Sequence, residues 1–320
     1  MLILRGVLAA SLFIALACAN AVAGALPSYQ KVPENLGGNI IAVGSDSMVN
    51  MMTLWAQAFN KYYPKVEFSI EGKGSATAPP SLIAGTAQLG PMSRQMKNSE
   101  IDAFESTYGY KPTAIGVALD ALAIYVNKDN PIKGLTIQQI DAIFSQNRFQ
   151  GYPYQIRTWG QVNVTGPWYG RPISLYGRNS ASGTYAYFKK NILKNGDFRP
   201  DVKEQPGSAA VVQSISVDRY GIGYSSIGYR TASVKPIPIA AAPGETFVEA
   251  TIENVANQTY PMGRLLYIYI NKIPGRSLPK AQMEFIKFVL SKEGQQIVYK
   301  DGYVPISDEM AFEEMAKLLN

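Results

Sequence analysis

Asn39-Ile40-Ile41-Ala42-Val43-Gly44-Ser45-Asp46-Ser47 runs from a short strand-forming stretch directly into small and hydroxyl-bearing residues. From there the pattern changes period. Met48, Met51, Met52, Trp55, Phe59 and Tyr62 recur at spacings of three and four, the signature of an amphipathic helix, and these side chains read as core. The same order of strand, loop and helix recurs twice. Val66-Glu67-Phe68-Ser69-Ile70 leads through Gly72-Lys73-Gly74-Ser75-Ala76-Thr77 to a helix that can start at Pro79-Pro80, where a missing N–H costs nothing. Ile173-Ser174-Leu175-Tyr176 leads through Gly177-Arg178-Asn179-Ser180-Ala181-Ser182-Gly183-Thr184 to a helix expected over 185–193. Alternating strands and helices imply an α/β fold.

Between the second and third units, Ala114 to Asn127 is apolar apart from Gly116 and Asp120, as expected of a buried strand crossing between lobes. Leu265 to Ile270 is the candidate return crossing, with an amphipathic helix between the crossings over 135–144, capped by Thr136. Two more helices are expected over 279–290 and 293–299. These readings give a lobe of 38–120 plus 262–320 and a second lobe of 121–261, with the two crossing strands as the hinge. With 320 residues the chain is long enough for two cores, since single cores stop growing near ~250–300 residues.

Composition removes whole classes of function. Hydrophobic residues at 47% and charged residues at 17% describe a globular chain. There is no histidine, so the commonest general base and transition-metal ligand is missing. The single cysteine, Cys18, lies in the N-terminal apolar segment, so no disulfide and no thiolate nucleophile is expected in the body of the protein. No catalytic residue, metal site or cofactor is expected. The net charge of +6 is spread along the chain without a basic run, which does not suit nucleic acid. Residues 1–23 read as a signal peptide, with Arg5, an apolar run from Val7 to Ala17, and Ala21-Val22-Ala23 as the small-x-small cleavage pattern. The alternative is lipid attachment at Cys18, although Ala15-Leu16-Ala17 lacks the usual apolar residue at the first position of that motif. Residues 24–37, with Pro27, Pro33 and Gly37-Gly38, read as a flexible leader.

The three loops carry the chemistry. The first N–H groups of a helix lack intrahelical partners and lie at the positive end of its dipole. Small residues admit a ligand close to that backbone, and serine or threonine adds neutral donors, which together make an anion site. Each loop alone is equally readable as simple N-capping. Arg178, four residues before Ser182, adds a planar fork of donors suited to an oxyanion edge.

At this point the sequence resembles the periplasmic phosphate-binding proteins of phosphate ABC transporters, which have the type II solute-binding fold. The resemblance spans about 38–310. Its most specific piece is Arg178-Asn179-Ser180-Ala181-Ser182-Gly183-Thr184, similar to the family's Arg-x-x-x-Ser-Gly-Thr segment. Gly44-Ser45-Asp46-Ser47-Met48 resembles the first phosphate loop, Gly72-Lys73-Gly74-Ser75 the second, and Gly85 to Gly90 the entry to the fourth contact. The tail from Ser291 to Pro305 is similar as scaffold. The resemblance implies a two-lobed periplasmic protein, expected to be a monomer, that delivers inorganic phosphate to the membrane permease of an ABC importer. The implied phosphate ligands are Ser45, Asp46, Ser47, Met48, Ser75, Ser93, Arg178, Ser182, Gly183 and Thr184. Family members often carry an aspartate in the fourth loop, which here reads Gly90-Pro91-Met92-Ser93-Arg94. Asp46 is then the replacement acceptor for the ligand's proton, or else an N-cap. The rival readings are a binding protein for sulfate, molybdate or tungstate, and a phosphoryl-transfer enzyme.

Overall fold

The computed structural model describes residues 26–319. The expected signal peptide and Cys18 lie outside them. In chain order the strands are β1 (Gly37–Val43), β2 (Lys65–Glu71), β3 (Gly90–Met92), β4 (Thr113–Asn127), β5 (Leu135–Thr136), β6 (Ser174–Arg178), β7 (Lys203–Gln205), β8 (Gly221–Ser226), β9 (Val234–Pro236), β10 (Ile239–Ala240) and β11 (Gly263–Ile270). The helices are α1 (Val49–Phe59), α2 (Ala78–Ile83), α3 (Asn98–Tyr108), α4 (Ile137–Phe144), α5 (Gly183–Asn191), α6 (Ser208–Val217), α7 (Ile252–Ala256), α8 (Lys280–Val289), α9 (Lys292–Lys300) and α10 (Asp308–Leu319). The expected elements form within a few residues of their predicted ends. Leu135 and Thr136 differ: they form β5, paired with β10, and Thr136 then caps α4 by accepting from the Gln139 N–H.

The main sheet has the order β3-β11-β4-β8-β6-β7, with β9 also on β4. Strand β4 spans it. Its first half, to Ala121, pairs antiparallel with β11, and its second half, from Leu122, pairs with β8 and β9. Apolar residues fill β4 on both faces because both are covered, which is why it reads as a continuous apolar run. The halves serve different cores. Ile115, Val117 and Ala118 pack with α1 and α8 through Trp55, Phe59 and Phe285. Leu122, Ile124 and Val126 pack with Phe144, Trp159 and Phe188. Strands β1 and β2 form a separate parallel pair.

The segment expected to be a flexible leader is instead packed. Tyr29 and Leu36 are buried in the first core. The Tyr29 N–H donates to Glu293 at 2.7 Å, and its hydroxyl donates to Glu284 at 2.8 Å. An aromatic ring with a satisfied polar tip outweighs the proline and glycine signals around it.

Candidate anion-binding cleft

Each donor loop sits at a strand end. Strand β1 delivers Gly44 to Ser47, β2 delivers Gly72 to Ser75, β3 delivers Ser93, and β6 delivers Arg178 to Thr184. Backbone bonds lock the loops together: Gly74 N–H to Gly44 C=O at 2.8 Å, Ser45 N–H to Pro91 C=O at 2.7 Å, and Ala76 N–H to Ala181 C=O at 3.1 Å. The last joins loops packed on different cores. Gly183 is a point of close approach between them. A Cβ there would lie 2.2 Å from Ser75 Oγ and 2.6 Å from Ser93 Oγ, so only glycine fits.

The hydroxyls converge. Ser47 Oγ lies 3.0 Å from Thr184 Oγ1 and 3.3 Å from Ser208 Oγ. Ser75 Oγ accepts from the Ser93 N–H at 3.0 Å and lies 3.3 Å from Ser93 Oγ. Ser182 is the N-cap of α5, accepting from the Thr184 and Tyr185 N–H groups, so its own proton remains to be donated. Ser45 is also buried. The Met48 side chain belongs to the core, and its N–H donates to the Ser45 C=O at 3.2 Å, so this backbone donor is engaged within its own turn.

Arg178 is 1% exposed. Its Nη1 donates to Ser208 Oγ at 2.6 Å, Nη2 lies 3.2 Å from Asp46 Oδ2, and its buried Nε–H has no hydrogen-bond partner. Burial pulls its pKa below the usual guanidinium range, against the opposing pull of Asp46. Asp46 caps neither its own 3-10 turn nor α1; Ser45 and Met48 hold those positions. Its carboxylate instead accepts from the Ser208 N–H at 2.8 Å and so caps α6, a helix of the second core. Arg94 also finds an acid nearby, making a two-pronged pair with Glu100 at 2.7 Å for each bond.

Two site residues lie outside the sequence reading. Ser208 opens α6 after Pro206-Gly207, a fourth small-residue helix start that follows a short strand and was legible in principle. Arg264 sits opposite Asp120 across the β4–β11 register. It donates to Asp120 Oδ2 from Nε at 2.9 Å and Nη2 at 2.7 Å, to the Ser93 C=O at 3.1 Å and to Thr184 Oγ1 at 2.9 Å. Burial raises the Asp120 pKa, and the Arg264 charge opposes it. The only signal for the pair was an acid within one apolar strand and a base at the start of the other. Because Thr184 accepts from Arg264, which has only donors, the threonine proton remains to be donated, to Ser47 Oγ or to a ligand.

A cluster of hydroxyls and guanidiniums buried between two α/β cores defines a binding protein for a small anion. The chain matches the model of the PBP superfamily domain over residues 30–293. It is 53% identical to the phosphate-binding protein PstS of Pseudomonas aeruginosa strain PAO1, covering 98% of this chain and 99% of that protein. A chain from Clostridium perfringens assigned to phosphate ABC transport, solved with bound phosphate, superposes with a TM-score of 0.72 at 26% identity, covering 84% of this chain and all of that one. An ABC-type phosphate transport receptor from Vibrio cholerae superposes at 0.63 with 25% identity, covering 83% and 99%. The chain belongs to the PBP superfamily, in the family of the PstS phosphate-binding proteins.

Proposed function

We propose that the chain captures inorganic phosphate between its two lobes and hands it to the permease of an ABC importer outside the cytoplasm. The observation that carries this reading is the buried meeting of Ser47, Thr184 and Ser208 around Arg178, drawn from both cores. Lobe one is 38–120 with 262–320, joined by the packed segment that carries Tyr29 and Leu36, and lobe two is 121–261. Only when the lobes are shut are both sets of donors engaged, so ligand binding favours closure. No described helix is long and apolar enough to cross a membrane. The role is binding without turnover, in keeping with the solute-binding relatives the chain matches.

The test is calorimetric titration after phosphate removal, with small-angle scattering to follow closure. One phosphate per chain and a compaction on binding are expected, together with little competition from sulfate. No binding, or sulfate binding as tightly as phosphate, overturns the reading.

A further inference from the structure

A cavity of about 850 Å³ opens beside the donor loops. Lys97, Ser180, Tyr185, Tyr187 and Lys190 line it, and so does Arg264. Ser93 and Thr184 do not line it and are completely buried, yet both are hydrogen-bonded to the Arg264 guanidinium. Arg264 therefore borders the cavity while its buried guanidinium holds the hydroxyl cluster. It is held there from several sides, by Asp120 from β4, by the Ser93 carbonyl, by Thr184 and by Ser226 Oγ at 3.0 Å. The Tyr187 ring, itself on the cavity wall, lies 5.4 Å from its guanidinium carbon.

We infer that Arg264 is a specificity-determining partition, which closes the anion site on the cavity side and so excludes phosphate monoesters. This rests on the reading of the cleft as a phosphate site. Inorganic phosphate has no substituent and fits inside a closed shell of donors. A monoester presents the same oxygens but needs an exit for its organic group, and the cavity beyond Arg264 is large enough to hold one. The anchoring matters as much as the position. Asp120 is fully buried, so swinging Arg264 aside for a larger ligand would leave a buried carboxylate unpaired. Charge alone does not make this wall. A lysine has no planar fork to hold the carboxylate, the carbonyl and the hydroxyl at once.

The experiment titrates wild type, Asp120→Asn/Arg264→Gln and Arg264→Lys with inorganic phosphate and with glycerol phosphate. The double variant removes both charges together, so neither is left buried alone. Wild type is expected to bind phosphate and to give no heat with glycerol phosphate. The double variant should bind phosphate up to ~10-fold more weakly, having lost the donor that orients Thr184, and bind the ester at least ~10-fold more tightly than wild type does. Arg264→Lys should fall between them. If the double variant does not fold, Arg264→Lys decides by the same two titrations. A folded variant that binds phosphate but still refuses the ester overturns the partition, as does a wild type that binds both alike. A wild type that binds no phosphate overturns the reading of the cleft itself.

Discussion

Arg178 and Asp46 lie 3.2 Å apart, and each limits what the other can do. The guanidinium is buried, keeps an unpaired Nε–H and is the cation nearest the Ser47–Ser208 hydroxyls. Hydrogen bonds to charged groups contribute roughly 1.5–3 kcal/mol each, so Arg178→Ala should weaken phosphate binding at least ~10-fold. Arg178→Lys should restore only part of this, because a point charge lacks the fork. Normal calorimetric binding by Arg178→Ala would make the residue purely structural. Asp46 keeps negative charge beside a site for an anion, a disadvantage that sulfate, with no proton to share, cannot offset. Asp46→Asn retains an acceptor for the Ser208 N–H, so α6 stays capped while the charge is lost. The phosphate-to-sulfate ratio of dissociation constants should therefore narrow, chiefly because sulfate binding improves, while the ligand-free melting temperature falls because the buried Arg178 loses its counter-charge. An unchanged ratio would leave Asp46 as a cap and no more. Residues of this kind were legible where the chemistry was local: Arg178, Ser182, Gly183 and Thr184 follow one another along a single loop. Arg264 was not, since it reaches Thr184 from 80 positions away along the chain and only strand register brings it there.

The strand–loop–helix units were legible as elements because hydrophobic period and small-residue loops agree in each. Helix α6 was missed for the converse reason. Its residues Val211, Val212, Ile215 and Val217 are β-branched, and helical period competes there with strand propensity; packing against β8 decides it. Which loops meet is fixed by topology, and Gly183 records the outcome. As the first residue of α5, it tolerates alanine by helix propensity, and an open molecule would accept the change or gain slightly. Closed, the added methyl collides with Ser75 and Ser93. Gly183→Ala should thus leave the ligand-free melting temperature unchanged or raised, while phosphate affinity falls at least ~10-fold and compaction on binding is lost. Thermal melts paired with small-angle scattering check both halves. Loss of stability without phosphate would mean that the two loops are never apart.

At the scale of the whole molecule, two cores and two crossing strands were foreseen from β4 and β11, but the way the far side of the cleft is fastened was not. Tyr229 donates to the Asp46 carbonyl at 2.9 Å and Tyr303 donates to the Ser47 carbonyl, so tyrosines packed with different cores grip the same turn. Asp301, just past α9, lies behind them and accepts from Asn50 of α1. Its other carboxylate oxygen is buried without a partner. Burial pushes its pKa up to about 6 from the usual 3.8, and the Asn50 bond offsets this only in part. The sign follows from which state holds the proton. Above pH ~4 the unfolded chain has released it while the native protein keeps it, up to about pH 6. This group's contribution to stability is therefore present at low pH, is lost as pH rises from about 4 to 6, and stays constant above that. Asp301→Asn fixes the neutral form and keeps an acceptor for Asn50. Other carboxylates contribute with the opposite sign, their stabilisation being lost as pH falls; Glu293, for one, is held below its usual range, where burial is outweighed by the Tyr29 N–H and other hydrogen bonds. The informative quantity is therefore the difference between the two proteins. In urea unfolding, wild type and Asp301→Asn should differ little at pH 4, and the variant should be the more stable at pH 7. A gap of equal size at both pH values would show that Asp301 does not titrate in that range and that its buried oxygen is stabilised by something other than a proton.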